Sequence, residues 1–128
     1  MNRDPLAVAA GAIRLASGVS FLVAPGAASV LWGSDPDNNP TASLLLRSMG
    51  YRDALVGAML LRAGLRGDPT TAGWFLASAG ADASDLLGGI ANHARLPARS
   101  RSVGLGGAVV GIVVGVLGAA RVRRRLAG

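Results

Sequence analysis

Six charged residues interrupt stretches that otherwise read as membrane spans: Arg14, Arg47, Arg52, Asp53, Asp82 and Asp85, three of each sign. A charged side chain at mid-membrane costs about 2.5–3.5 kcal/mol on insertion scales, so six of them require pairing or a protected cavity. A chain of this kind is expected to enclose a polar, charge-balanced interior in an apolar shell.

Composition agrees with a membrane setting. Of 128 residues, 51% are hydrophobic, 16% are charged and 19 are glycine, and the mean hydropathy is +0.44. Soluble domains of this size rarely combine these values. The basic residues are all Arg and the acids all Asp. Setting aside the six interior charges leaves ten Arg against four Asp, so the net charge of +6 belongs to loops and tails. Membrane proteins place charge in that way. A nucleic-acid binder would also be basic, but it needs a solvated basic face with aromatics or a reading helix, and only five aromatics occur. No nucleic-acid partner is expected. Without cysteine there is no disulfide, thiol relay or Cys-ligated metal.

Four apolar segments follow one another, at about residues 6–23, 41–61, 70–90 and 103–120, separated by Pro, Asp and Arg punctuation. The reading is an all-α integral membrane four-helix bundle, a single domain over residues 1–128. Pro25-Gly26 closes the first segment. A signal peptide is the competing reading there, with small residues from Ala24 to Ala28, but Arg14 interrupts what should be an unbroken apolar core. Pro25 to Pro40 reads as a turn-rich aqueous loop with Trp32 at headgroup depth. Gly64 to Pro69 breaks the chain between the second and third segments. Only the last segment, eighteen residues without a charge, satisfies a strict hydropathy reading.

Loop charge sets the orientation. Seven arginines (Arg3, Arg62, Arg66, Arg121, Arg123, Arg124 and Arg125) lie on the side shared by the termini and the central loop, against Arg95, Arg99 and Arg101 on the other. The positive-inside rule puts both termini in the cytoplasm of a multi-pass cell-membrane protein. In the fourth segment Gly107, Gly111 and Gly115 recur every four residues, a face that serves packing within the bundle or a homodimer seam.

The candidate chemistry sits in the second and third segments. Asp82 and Asp85 share one helical face with Ser78 one turn before and Asn92 two turns after, a polar stripe on an apolar helix. Two neighbouring carboxylates in low dielectric do not both ionise freely unless an Arg stands between them. The counter-charges are Arg47, Arg52 and Asp53, with Tyr51 on the face of Arg47. Arg14, flanked by Gly11 and Gly18, is placed to reach an Asp from the first helix. Asp82, Asp85, Arg47, Arg52, Asp53 and Tyr51 are the catalytic candidates; Arg14, Ser78, Asn92 and Trp74 are the substrate-binding ones. The competing account is structural, with Arg–Asp pairs holding four marginal helices in one arrangement. No cofactor or metal is expected, since a lone His93 with Asp partners makes a poor transition-metal site.

The pattern Arg47-x-x-Gly50-Tyr51-Arg52-Asp53-x-x-x-Gly57, followed downstream by Ala81-Asp82-x-x-Asp85, resembles the small uncharacterised four-span membrane proteins of actinobacteria and is loosely similar to DoxX-like proteins. The likeness runs from about Arg14 to Asn92. It implies a four-helix membrane fold and no settled activity. Two function classes follow from the residues. One is an enzyme in which Asp does acid/base work on a lipophilic molecule, as in epoxide opening, isoprenoid cyclisation or isomerisation. The other is a non-catalytic subunit or lipid-binding protein, with a proton-coupled carrier third.

Overall fold

Each helix of the computed structural model, which describes residues 2–25, 40–91 and 98–128, begins or ends where local chemistry dictates. Helix α1 (Pro5–Val23) starts at Asp4, whose carboxylate accepts the amides of Leu6 at 3.1 Å and Ala7 at 3.2 Å. Pro5 occupies the first turn, where a missing N–H costs nothing. Helix α2 (Pro40–Arg66) runs past Gly64 and stops at Gly67, which has a φ of 61°. There the amide of Asp68 bonds the carbonyl of Ala63 and the amide of Gly67 that of Gly64, a left-handed cap that favours glycine. Helix α3 (Thr71–Ala91) follows after a short turn, and helix α4 (Ala98–Ala127) completes the chain. Among the described residues no strand occurs. The chain is an all-α four-helix bundle.

These bounds extend the expected segments. The second helix is longer because Gly64 is not a breaker: its carbonyl accepts the amide of Asp4 at 2.8 Å, and its bare Cα lies against Ala7. The fourth is longer because the helix already begins at Ala98 and the arginine run after Ala120 stays helical. The loop expectations around Trp32, and those for Asn92 and His93, lie outside the described residues.

The helices associate in two pairs. Along α1 and α2, glycines recur at seven-residue intervals on both partners, Gly11 and Gly18 against Gly50, Gly57 and Gly64. A methyl group at Gly11 would stand 2.5 Å from the amide nitrogen of Leu61 and 2.8 Å from the carbonyl oxygen of Gly57. Backbone therefore lies on backbone, and dispersion and carbonyl contacts replace side-chain interdigitation. The second pair is α3 with α4. Here Gly111, Gly115 and Gly118 of α4 receive side chains of α3: the Asp82 carboxylate, Ala79 and the Phe75 ring. Gly111 and Gly115 are thus occupied within the chain, whereas Gly107 is exposed.

A small apolar core of Ala7, Leu60, Ala72, Phe75, Ala119 and Val122 joins the two pairs near one end, with Leu6, Ala10, Trp74 and Val114 packed around it. At that same end Asp4 forms an ion pair with Arg121, besides its bond to Gly64. The N-terminus, the α2–α3 turn and the C-terminal end of α4 are consequently gathered together.

The outer surface is apolar while the middle of the interior is charged. Ile13, Leu44, Leu45, Leu87, Val110 and Leu117 are among many exposed aliphatic residues, far more than a water-facing monomer displays. Helix α1 and the Leu105–Ala127 part of α4 are each long and apolar enough to cross a membrane; among the described residues α2 and α3 do not reach that measure unaided.

Candidate functional site

The charged residues meet at mid-height. Arg14 is the central residue of α1, with nine helical residues on either side, and Asp53 is the central residue of α2, with thirteen on either side. Asp82 lies one place past the centre of α3. Gly11 and Gly18 let α1 lie close enough on α2 for the Arg14 guanidinium to bond Asp53 Oδ1 at 2.9 Å. Its other terminal nitrogen reaches across the seam between the two helix pairs to Asp82 Oδ2, with the carbonyl of Ser78 at 3.5 Å. The room for that carboxylate comes from α4: a methyl group at Gly111 would coincide with Asp82.

Arg52 repeats the pattern one turn away. It lies 3.3 Å from Asp53 Oδ1, and a single guanidinium nitrogen donates to both oxygens of Asp85 at 3.1 and 3.0 Å. The five side chains form an alternating row, Asp82, Arg14, Asp53, Arg52, Asp85, which starts and ends on α3. The row is graded in exposure. The side chains of Arg14, Asp53 and Asp82 are each 12% exposed, whereas Arg52 is 36% and Asp85 38% exposed. One end is sealed in the bundle; the other opens at its edge.

Arg47 is outside this row, contrary to the expected six-member cluster. It is exposed on α2, and among the described residues no ion pair joins it to an Asp. Helical geometry gives the reason. Five residues separate Arg47 from Arg52, a rotation of about 140° around the axis, so the two cannot face the same neighbour. Tyr51 shares the outward face of Arg47 and is 62% exposed. Trp74 is half-buried against the apolar core, away from the charges. Ser78 is buried and contributes its carbonyl oxygen to Arg14. Of the sequence candidates, then, Asp82, Asp85, Arg52, Asp53, Arg14 and Ser78 come together, and Arg47, Tyr51 and Trp74 do not.

Two features were not anticipated. Gly111 acts as the socket for Asp82; its place in a glycine-rich face showed only that something packs closely. The Asp4–Arg121 pair has a sequence signal in hindsight, an N-cap acid before Pro5 and the first arginine after an uncharged span on the same side.

Fold and site together define a helical bundle with an apolar exterior and a buried Arg–Asp row. Residues 11–122 match the family described as domain of unknown function DUF4267, a span that holds α2, α3, most of α1 and α4, and the whole row. The chain belongs to that family. The match bears out a small uncharacterised family, the coarser part of the resemblance drawn from the motif; it shows neither a DoxX-like relationship nor an actinobacterial origin. No curated protein and no solved structure matches the chain.

Proposed function

We propose that all four helices span a cell membrane, with the termini and the α2–α3 turn on the cytoplasmic side. The bundle carries out acid/base chemistry on a lipophilic small molecule at the open end of the charged row. The observation behind this reading is the difference in exposure along the row: Arg52 and Asp85 are reachable while Arg14, Asp53 and Asp82 are enclosed. In this arrangement Asp85 exchanges a proton with the substrate. Arg52, fixed from behind by Asp53, holds the carboxylate and orients a polar group of the ligand. The enclosed Arg14 keeps Asp53 and Asp82 in place. Epoxide opening, isoprenoid cyclisation and double-bond isomerisation are the reaction classes that one carboxyl and one guanidinium in an apolar setting can serve.

Asp85→Asn preserves size and hydrogen bonding while removing titration. In reconstituted protein presented with hydrophobic epoxides and isoprenoids, it should lower turnover by about a hundredfold or more, with the fold intact. If the wild-type protein turns over none of these substrates, the enzyme reading should be abandoned.

The structural reading has its own support in Arg14, which links α1 to α2 and α3 through two carboxylates. It assigns the row to the specification of one helix arrangement. It expects stability to change in every Arg and Asp variant of the row and no chemistry to depend on Asp85.

A further inference from the structure

The alternating row has three carboxylates and two guanidinium groups, so with every member ionised it carries one net negative charge. The charge-balanced interior expected from six residues fails because Arg47 lies outside. Among the described residues no other charge near mid-height compensates. Helix α1 contributes Arg14 alone, α2 contributes Arg52 and Asp53, and α3 contributes Asp82 and Asp85. The sequence of helix α4 has no charged residue from Ser102 to Ala120, and Gly111 lies against Asp82. Arg47 is the nearest other charge in the sequence of α2; it is exposed, with no ion pair among the described residues, and a long side chain so placed can extend toward headgroups.

An uncompensated negative charge at the centre of an apolar span is costly, and the smallest counter-charge available is a proton. We propose that the row is a proton-binding site, holding one exchangeable proton at neutral pH on the Asp82/Asp85 pair. Its location follows from the connectivity. Asp53 takes bonds from both guanidinium groups on one oxygen. Asp82 and Asp85, at the two ends, each have a single guanidinium partner. They stand one turn apart on the same helix, and Asp85 provides the exposed end through which the proton enters and leaves. The inference needs the bundle to lie in a membrane but does not need the catalytic reading.

The test is infrared spectroscopy of the full chain reconstituted in bilayers at neutral pH, since a protonated carboxyl has a carbonyl stretch that a carboxylate lacks. The wild-type protein should show one such band, shifted by deuterium exchange. Charge arithmetic then sets the variants apart. Asp82→Asn, Asp85→Asn and Asp53→Asn each leave two acids for two arginines, so each should abolish the band. Arg52→Gln leaves three acids for one arginine and should roughly double it. Arg47→Gln and Asp4→Asn should leave it unchanged. The amide band of the same spectra reports whether a variant is still helical. Absence of the band in the wild-type protein overturns the proposal with no variant needed, and so does a band that survives all three row variants or disappears with Asp4→Asn. A proton present without turnover of any lipophilic substrate removes the enzyme reading alone; turnover without the band removes this one alone.

Discussion

Both helix pairs are built on glycine, yet they use it differently. In the α1–α2 pair both partners carry glycine at seven-residue intervals, and backbone meets backbone. In the α3–α4 pair the described glycines at the contact belong to α4, and each accommodates a side chain of α3, with the Phe75 carbonyl also against Gly115. The two-sided seam leaves no space to adjust. The one-sided seam leaves shaped recesses, and one of them holds a carboxylate. A glycine pattern therefore signals close approach in either case, but only when it is unmatched on the partner does it make room for a functional group. The charged row joins the pairs, and its members come from the three helices that have side chains to spare at mid-height.

Several substitutions separate these roles. The largest effect should come from Arg14→Gln, which leaves Asp53 and Asp82 short of their shared partner and weakens the link between the pairs. Removing one member of a buried ion pair costs about 3–5 kcal/mol. Thermal unfolding in detergent should show that loss, with Arg47→Gln within about 0.5 kcal/mol of wild type because it is exposed. Comparable losses in the two variants would mean that the row does not join the pairs.

Next comes Gly57→Ala. Its methyl group would run into the backbone of Leu15, on a helix that cannot yield locally, and overpacking of this kind costs about 1–3 kcal/mol. Gly80→Ala is the matched control, since open space surrounds that position. If Gly57→Ala unfolds at the same temperature as Gly80→Ala, the α1–α2 pair is not packed through backbone.

Gly111→Ala should clash less than Gly57→Ala, because the obstructing atoms belong to the end of a side chain that can rotate, and its cost is that of the weakened Asp82–Arg14 contact. Its signature is displacement of Asp82 from Arg14. In a double-mutant cycle with Asp82→Asn the two substitutions should be non-additive, whereas Gly57→Ala and Asp82→Asn should add.

The smallest effect concerns the α2–α3 turn, which belongs to neither seam. The amide and hydroxyl of Thr70 both donate to Asp68 Oδ1 at 2.8 Å and hold its carboxyl below the ordinary aspartate range. A lowered folded-state value means that the contribution is complete above the unfolded value of about 3.9 and is lost as pH falls through the folded one. Asp68→Asn should therefore be slightly less stable than wild type at neutral pH, with the gap closing in acid. A gap that widens in acid would reverse the sign argued for this turn. The orientation of both pairs is open to labelling of single cysteines: Ser34→Cys and Arg66→Cys should react from opposite sides of the membrane.

Periodicity and cost were enough to read much of this protein from its residues. Four apolar segments with Pro, Gly and Asp at their borders specify four helices, because those residues cap or end helices through their own backbone chemistry. Charges within such segments specify a polar interior, because an apolar surrounding cannot solvate them. Gly50 and Gly57 show that a helix lies close, and Arg14 between Gly11 and Gly18 shows an arginine aimed inward. None of this identifies partners. Helical rotation removed Arg47 and Tyr51 from the site, a result available only once the direction of Asp53 toward α1 was known. The alternating order of the row, the seat of Asp82 over Gly111, and the division into a sealed and an open end depend on how two helix pairs are set against each other. That setting is decided by backbone contacts between residues far apart in the chain, and spacing along one helix carries no record of them. The residue types thus determined that opposite charges would share the bundle interior. Tertiary structure decided that they would do so as three acids and two bases.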